Sequence, residues 1–192
     1  MTTATQLWAL KEWAIAVAAL GAGDLILLVR KGGIHESRHS FNMPCDRALL
    51  FPTYEHQQAS ALRSPFRAAV TPQAVPALGD RMSLPYWAEV THQLPLAGQG
   101  IVEALQPFHI WTDDWLAERL AWKPERPAYA LLLRVQRLMA PVDITYQAHH
   151  QGCRSWITLQ DETTELPNGV PVLSDQDYRR QVTQIQAAIA GE

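Results

Sequence analysis

The stretch TQLWALKEWAIAVAALGAGDLILLVRKGG, Thr5 to Gly33, decides how the chain is read. Leu7, Leu10, Ala14 and Val17 recur at three- and four-residue spacing, and Trp13 and Leu20 widen the stripe. That period predicts one amphipathic helix through Leu20, capped by Thr3 or Thr5 and stopped by Gly21 and Gly23. After Asp24, the apolar run Leu25–Val29 has the composition of a buried strand. It ends in Arg30-Lys31, and Gly32-Gly33 supplies the turn. A helix, a glycine stop and a strand finishing in two cations form the opening frame.

Working outward, Ala48–Phe51 is a second strand that runs into Pro52 and then Thr53-Tyr54-Glu55-His56-Gln57. Residues 64–85 carry Pro65, Pro72, Pro76 and Pro85 and read as a surface excursion. Tyr86–Leu94 alternates as a half-buried strand, and Phe108–Trp111 reads as a short one. Thr112 caps a helix with Asp113 and Asp114 in its first turn. Tyr129–Leu138 is a strand stopped before Pro141, and Ser155–Leu159 another. Asp175–Ala190 is a polar helix with a weak apolar stripe. Irregular stretches rather than crossover helices separate the strands. The expected class is therefore α+β, with a mixed, partly barrel-like sheet and N-terminal, middle and C-terminal helices. Residues 1–162 are expected to form one domain, and 163–192 a linker and helix.

The chain has 192 residues, 47% of them hydrophobic, enough to bury a core. A formal charge of −3 excludes a strongly basic nucleic-acid coat protein but not a local basic patch. The two cysteines, Cys45 and Cys153, make a poor disulfide framework and favour a reducing compartment. Lys11 and Glu12 interrupt any leader-like apolar core, so no signal peptide is expected. Ala14–Gly23 is uncharged but about half the length of a membrane span. A soluble, cytoplasmic protein without membrane contact is the expectation.

Four stretches carry a family resemblance: LKEWAIAV (10–17), ILLVRKGGI (26–34), LLFPTYEHQ (49–57) and CRSWITL (153–159), supported by WKPERPAYALLLRVQRL (122–138). Together they resemble domain-of-unknown-function family 1802, uncharacterised bacterial proteins common in cyanobacteria. Some members look fused to a restriction-endonuclease-like domain, which implies nucleic acid. At fold level the opening frame is also similar to ASCH domains of the PUA-like superfamily, with a longer middle segment. There a helix, a glycine and a strand ending in Arg line one wall of a small β-barrel.

Candidate site residues gather at strand ends. Arg30 and Lys31 offer a fork and a point charge for phosphate. Neither GxxxxGK[ST] nor GxGxxG is present. Tyr54, Glu55, His56 and Gln57 supply a ring, an acid, a switchable base and an amide, suited to a flat heterocycle. The bland alternative packs Tyr54 and His56 on a sheet rim and pairs Glu55 with Arg30 or Arg47. Arg154 and Trp156 add a cation and a stacking plane. His35-Glu36-Ser37-Arg38-His39 matches H-E-x-x-H, but Gly32-Gly33 before it and Pro44 after it deny it a long helix. No metal or cofactor is expected. Cys153, with His149 or His150 as base, is a weaker catalytic candidate.

The leading reading is a PUA-like module binding RNA, DNA or a modified nucleotide. Ligand contacts would come from Arg30, Lys31, Tyr54, Glu55, His56, Gln57, Arg154 and Trp156. One alternative is a small hydrolase of a nucleoside or amide using Lys31, Thr53, Glu55 and His56. The other is a protein-interaction adaptor using the C-terminal helix and the 64–85 excursion.

Overall fold

The computed structural model describes residues 7–31, 43–70, 75–159 and 166–192. The chain runs β1 (Leu7–Trp13), α1 (Ala14–Ala22), β2 (Leu27–Lys31), β3 (Arg47–Thr53), α2 (Ser64–Arg67), β4 (Arg81–Leu96) and α3 (Ile101–Leu105). It continues with α4 (Asp113–Ala121), β5 (Ala128–Thr145), β6 (Trp156–Leu159), β7 (Gly169–Pro171) and α5 (Asp175–Ala190). The class is α+β. The sheet order is β2-β5-β4-β3-β1-β6, with β7 on β5. β1 and β3 pair in parallel and every other pair is antiparallel.

The single N-terminal helix expected over Thr5–Leu20 is corrected. Residues 7–13 are a strand, and the helix begins only at Ala14. Leu7, Ala9 and Leu10 are all buried, because β1 lies between β3 and β6 with packing on both faces. A strand buried on both faces has no two-residue alternation, so its apolar positions mimic a helical stripe. Gly23 ends α1 at φ 82°, the left-handed cap that glycine adopts without a Cβ clash. Gly21 is needed for a different reason: a Cβ there would lie 2.2 Å from the Tyr86 ring.

The sheet curls into a half-barrel. Four strand steps separate β2 from β1, about 19 Å in a flat sheet. Yet the Arg30 guanidinium on β2 reaches the Lys11 carbonyl on β1 at 2.8 Å. Only strong curling brings those ends together. Register shifts in the long β4–β5 ladder accompany the bend, at Leu84/Tyr86 and at Val90/His92. The first explains why β5 passes through Pro141 and β4 through Pro85: both prolines sit where the ladder is interrupted. Strand β5 was expected to stop before Pro141, so this too is a correction. The strand expected at 108–111 reduces to one bridge, Leu62 with Trp111, after a tight turn containing Pro107.

The core has three parts. One packs α1 against Leu10, Leu50, Val90 and Leu131. A second gathers Leu7, Leu49, Phe51, Leu84 and Tyr146 on the other face of β1 and β3. The third buries Leu27, Leu105, Leu116 and Leu132 under α3, α4 and α5. Helix α5 buries Tyr178, Val182 and Ile185 there, so the apolar stripe of the C-terminal helix faces the sheet. Among the described residues no helix is long and apolar enough to cross a membrane.

Candidate functional site

The C-terminal ends of β1, β2 and β3 converge with α4 and the 152–155 segment around one cavity of about 270 Å³. Its polar lining includes Lys11 and Glu12 from β1, Arg30 from β2, Thr53 with Glu55 and His56 beyond β3, Arg119 from α4, and Arg154. Trp13, Trp111 and Trp115 supply its aromatic wall.

Arg30 is only 7% exposed. Its guanidinium pairs with Glu12 Oε2 at 2.9 Å and donates to the Lys11 carbonyl. Glu12 Oε1 accepts from the Trp13 amide at 2.8 Å, so that carboxylate is held from two sides. Lys11 Nζ donates to the carbonyls of His150 at 2.6 Å and Gly152 at 2.7 Å. It thereby pins the 150–154 segment over the cavity and keeps one of its three N–H donors in hand. Burial lowers the Lys11 pKa; Glu55 and Cys153 oppose that, and Arg154 adds to it. The Thr53 hydroxyl donates to the Glu12 carbonyl at 3.1 Å.

The α4 side follows from its sequence. Thr112 caps the helix by accepting from the Trp115 amide. Trp115 and Arg119, four apart, then share one face. The Arg119 guanidinium lies 5.2 Å over the Trp115 ring. Trp111 stacks on Trp115 with centroids 5.1 Å apart and planes 13° apart, and Trp13 tilts against it at 5.7 Å. Burial lowers the Arg119 pKa, the neighbouring Arg30 charge adds to this, and Glu12 opposes it. Among the described residues Arg30 Nε, Arg119 Nε and Trp111 Nε1 are buried donors without a partner. Each such donor costs about 1–3 kcal/mol while it lacks an acceptor. All three parent side chains line the cavity.

The Tyr54–Gln57 group is divided. Strand β3 ends at Thr53, which lines this cavity, and the turn that follows, with His56 at φ 63°, brings Glu55 and His56 to it. Pro52, Tyr54 and Gln57 line a second cavity of about 410 Å³ between α1, Tyr86 and Arg137. There Gln57 Oε1 accepts from the Ile15 amide at 3.0 Å, satisfying the start of α1. Burial raises the Tyr54 pKa. Lys31 is buried away from the first cavity, with Nζ on the Leu120 carbonyl. Trp156 packs on the first core cluster and does not line the cavity. Arg154 does.

The expected pairing of Glu55 with Arg30 or Arg47 is not what forms. Arg30 takes Glu12, and Arg47 takes Glu89. Gly32, Gly33 and the His35–His39 motif lie outside the described residues. His150, considered as a base for Cys153, is buried with Nδ1 accepting from the Gln147 amide. Burial, then His149, then Lys11 lower its pKa to about 4. The sequence reading missed Lys11, Glu12, Trp13, Trp111, Trp115 and Arg119. The sequence pattern reads Lys11, Glu12 and Trp13 as helix, Trp115 as helix packing and Trp111 as the end of a short strand, and Arg119 has no signal beyond its spacing from Trp115.

The family model for a domain of unknown function, DUF1802, matches residues 9–184. The chain belongs to the DUF1802 family. No curated protein matches this DUF1802 chain. Among solved structures it is similar to an ASCH protein from Zymomonas mobilis, at 12% identity and a TM-score of 0.46. That match covers 92% of this chain and 93% of the other. Two single-substitution mutants of the same Zymomonas mobilis protein match at 11% identity. Their TM-scores are 0.42 and 0.41, with 92% and 95% of this chain covered, and 95% and 97% of theirs. At that level of likeness no site residue is carried from the ASCH structures to the DUF1802 chain.

Proposed function

We propose that this DUF1802 protein is a PUA-like module that binds a nucleotide, free, modified or within RNA or DNA. One observation carries the reading: three indoles and the cations Lys11, Arg30, Arg119 and Arg154 line a single cavity of about 270 Å³. That volume lies at the small end of ligand pockets, the size of one compact ligand and far too small for a duplex. The indole faces supply stacking planes, the guanidiniums supply phosphate contacts, and Glu55 is available to the polar edge of a base. Relative to the sequence reading, stacking moves from Tyr54 and Trp156 to Trp13 and Trp115, and the phosphate contact from Lys31 to Arg119. A cytoplasmic setting, read from the two free cysteines, accompanies the proposal.

The hydrolase alternative keeps Thr53, Glu55 and His56 at the cavity but loses Lys31 from it. The adaptor alternative loses the stripe of α5, which is buried. The test is quenching of intrinsic tryptophan fluorescence by mononucleotides and short single strands. Binding should weaken between about 50 and 200 mM salt, more for single strands, whose phosphates release counterions, than for mononucleotides. Absence of quenching by every nucleotide and oligonucleotide at low salt would overturn the proposal.

A further inference from the structure

Among the described residues the charges around the cavity do not cancel. Lys11, Arg30, Arg119 and Arg154 bring four positive charges, and Glu12 and Glu55 two negative ones. Glu12 is already committed to Arg30 and to the Trp13 amide. The excess of two is concentrated where water is partly excluded, and such charge needs a counter-charge. Three side chains of the wall also hold a buried donor without an acceptor: Arg30 Nε, Arg119 Nε and Trp111 Nε1. Among the described residues nothing accepts from these donors. A planar ring stacked on the indoles would leave the excess charge uncompensated, and an internal phosphodiester would compensate one unit of it. A terminal phosphate carries about −1.5 to −2 at neutral pH and presents three equivalent oxygens.

We infer that the cavity is built for a phosphomonoester, the terminal phosphate of a nucleotide, held by Arg30, Arg119 and Arg154 of its lining. The inference rests on the nucleotide reading above and goes beyond it by naming the group that is recognised. The same chemistry is offered by a free mononucleotide and by the phosphorylated end of a strand.

The test is calorimetric titration of the full chain with the common ribonucleoside 5′-monophosphates, the matching nucleosides and the matching 5′-methyl phosphodiesters. Inorganic phosphate and a short single-stranded RNA with and without a 5′-phosphate complete the panel. The monophosphate should bind about 100-fold more tightly than its nucleoside and about tenfold more tightly than its methyl diester, each tenfold standing for one charge-assisted contact. Arg119→Gln should narrow the monophosphate-to-nucleoside ratio about tenfold. If circular dichroism shows that variant unfolded, Arg154→Gln on the exposed segment serves the same purpose. Preference for phosphorylated RNA over its unphosphorylated form identifies a strand end as the source. Binding of mononucleotides alone identifies the free nucleotide. Equal affinity for monoester, diester and nucleoside would overturn the inference and leave the nucleotide reading standing. Binding of inorganic phosphate without any preference for nucleotides would overturn the nucleotide reading and the inference with it, as would a blank panel.

Discussion

Removing the Arg30–Glu12 pair tests the closure of the sheet and the frame of the site at once. Both side chains are at least nine-tenths buried, and their charged atoms are 2.9 Å apart. Arg30→Met keeps the aliphatic stem and deletes the charge, leaving the Glu12 carboxylate without its partner. Breaking one side of a buried pair costs about 3–5 kcal/mol. The lost bond to the Lys11 carbonyl is part of that loss, at roughly 1 kcal/mol. Glu12→Gln alone should cost a similar amount, since it strands the guanidinium while its amide oxygen still accepts from the Trp13 amide. In the double variant no charge is stranded. Its cost should fall to about 1–2 kcal/mol, near that of the missing hydrogen bonds. Urea unfolding followed by tryptophan fluorescence reads these differences as midpoint shifts at constant slope. Against a typical total of about 5–15 kcal/mol the single variants remain measurable. A single-variant loss under about 1 kcal/mol, or strictly additive losses, would refute the reasoning. The two strand ends would then not be joined across the half-barrel by this pair.

Two further outcomes follow from buried groups. His109 is 4% exposed, and burial, reinforced by Arg63, lowers its pKa from 6.5 to about 4. The unfolded chain takes up this proton more readily throughout that window, so stability falls as pH drops from 6.5 towards 4. The loss due to His109 between pH 7 and 5 should be about 2 kcal/mol, and His109→Phe should flatten that acid limb in denaturant titrations run at each pH. Ile185 on α5 is 1% exposed within the third core cluster, and Ile185→Ala should cost about 2–5 kcal/mol; a midpoint unchanged from wild type would mean α5 is an appendage.

Much of the architecture was legible because its signals are local. Thr112 and the two aspartates mark the start of α4, and Ser174 stands ahead of α5, whose expected bounds are those observed. The buried strand ending in Arg30-Lys31 was equally clear from five apolar residues in a row. The failures share one cause. Leu7, Ala9 and Leu10 are buried on two faces, so the pattern of β1 carries no alternation to separate it from the helix that follows. Reading residues 7–13 as helix placed Lys11 and Glu12 on a solvent face. That concealed the parallel pairing of β1 with β3, which sets Lys11 opposite Phe51 and Trp13 opposite Thr53. The site became invisible on that side because its residues meet only through curling, a long-range property that no window of sequence contains.

The division of Thr53–Gln57 between two cavities shows what a sequence cluster does and does not mean. Five polar residues in a row looked like one site. The chain turns after β3 ends at Thr53, with His56 at φ 63°, and the turn takes Glu55 and His56 to one cavity and Tyr54 and Gln57 to the other. Residues far apart in sequence join instead: Lys11, Arg30, Glu55, Arg119 and Arg154 come from five segments. Such a gathering of charge is costly to fold, because each desolvated cation and each donor without an acceptor weakens the native state. Hydrophobic residues of similar volume would pack the same barrel mouth more stably. The charged lining therefore makes physical sense as the binding half of an interaction whose anionic half comes from outside the chain. Its weight can be weighed directly: a ligand that supplies the missing acceptors must raise the unfolding midpoint with its concentration, as any ligand bound only to the native state does.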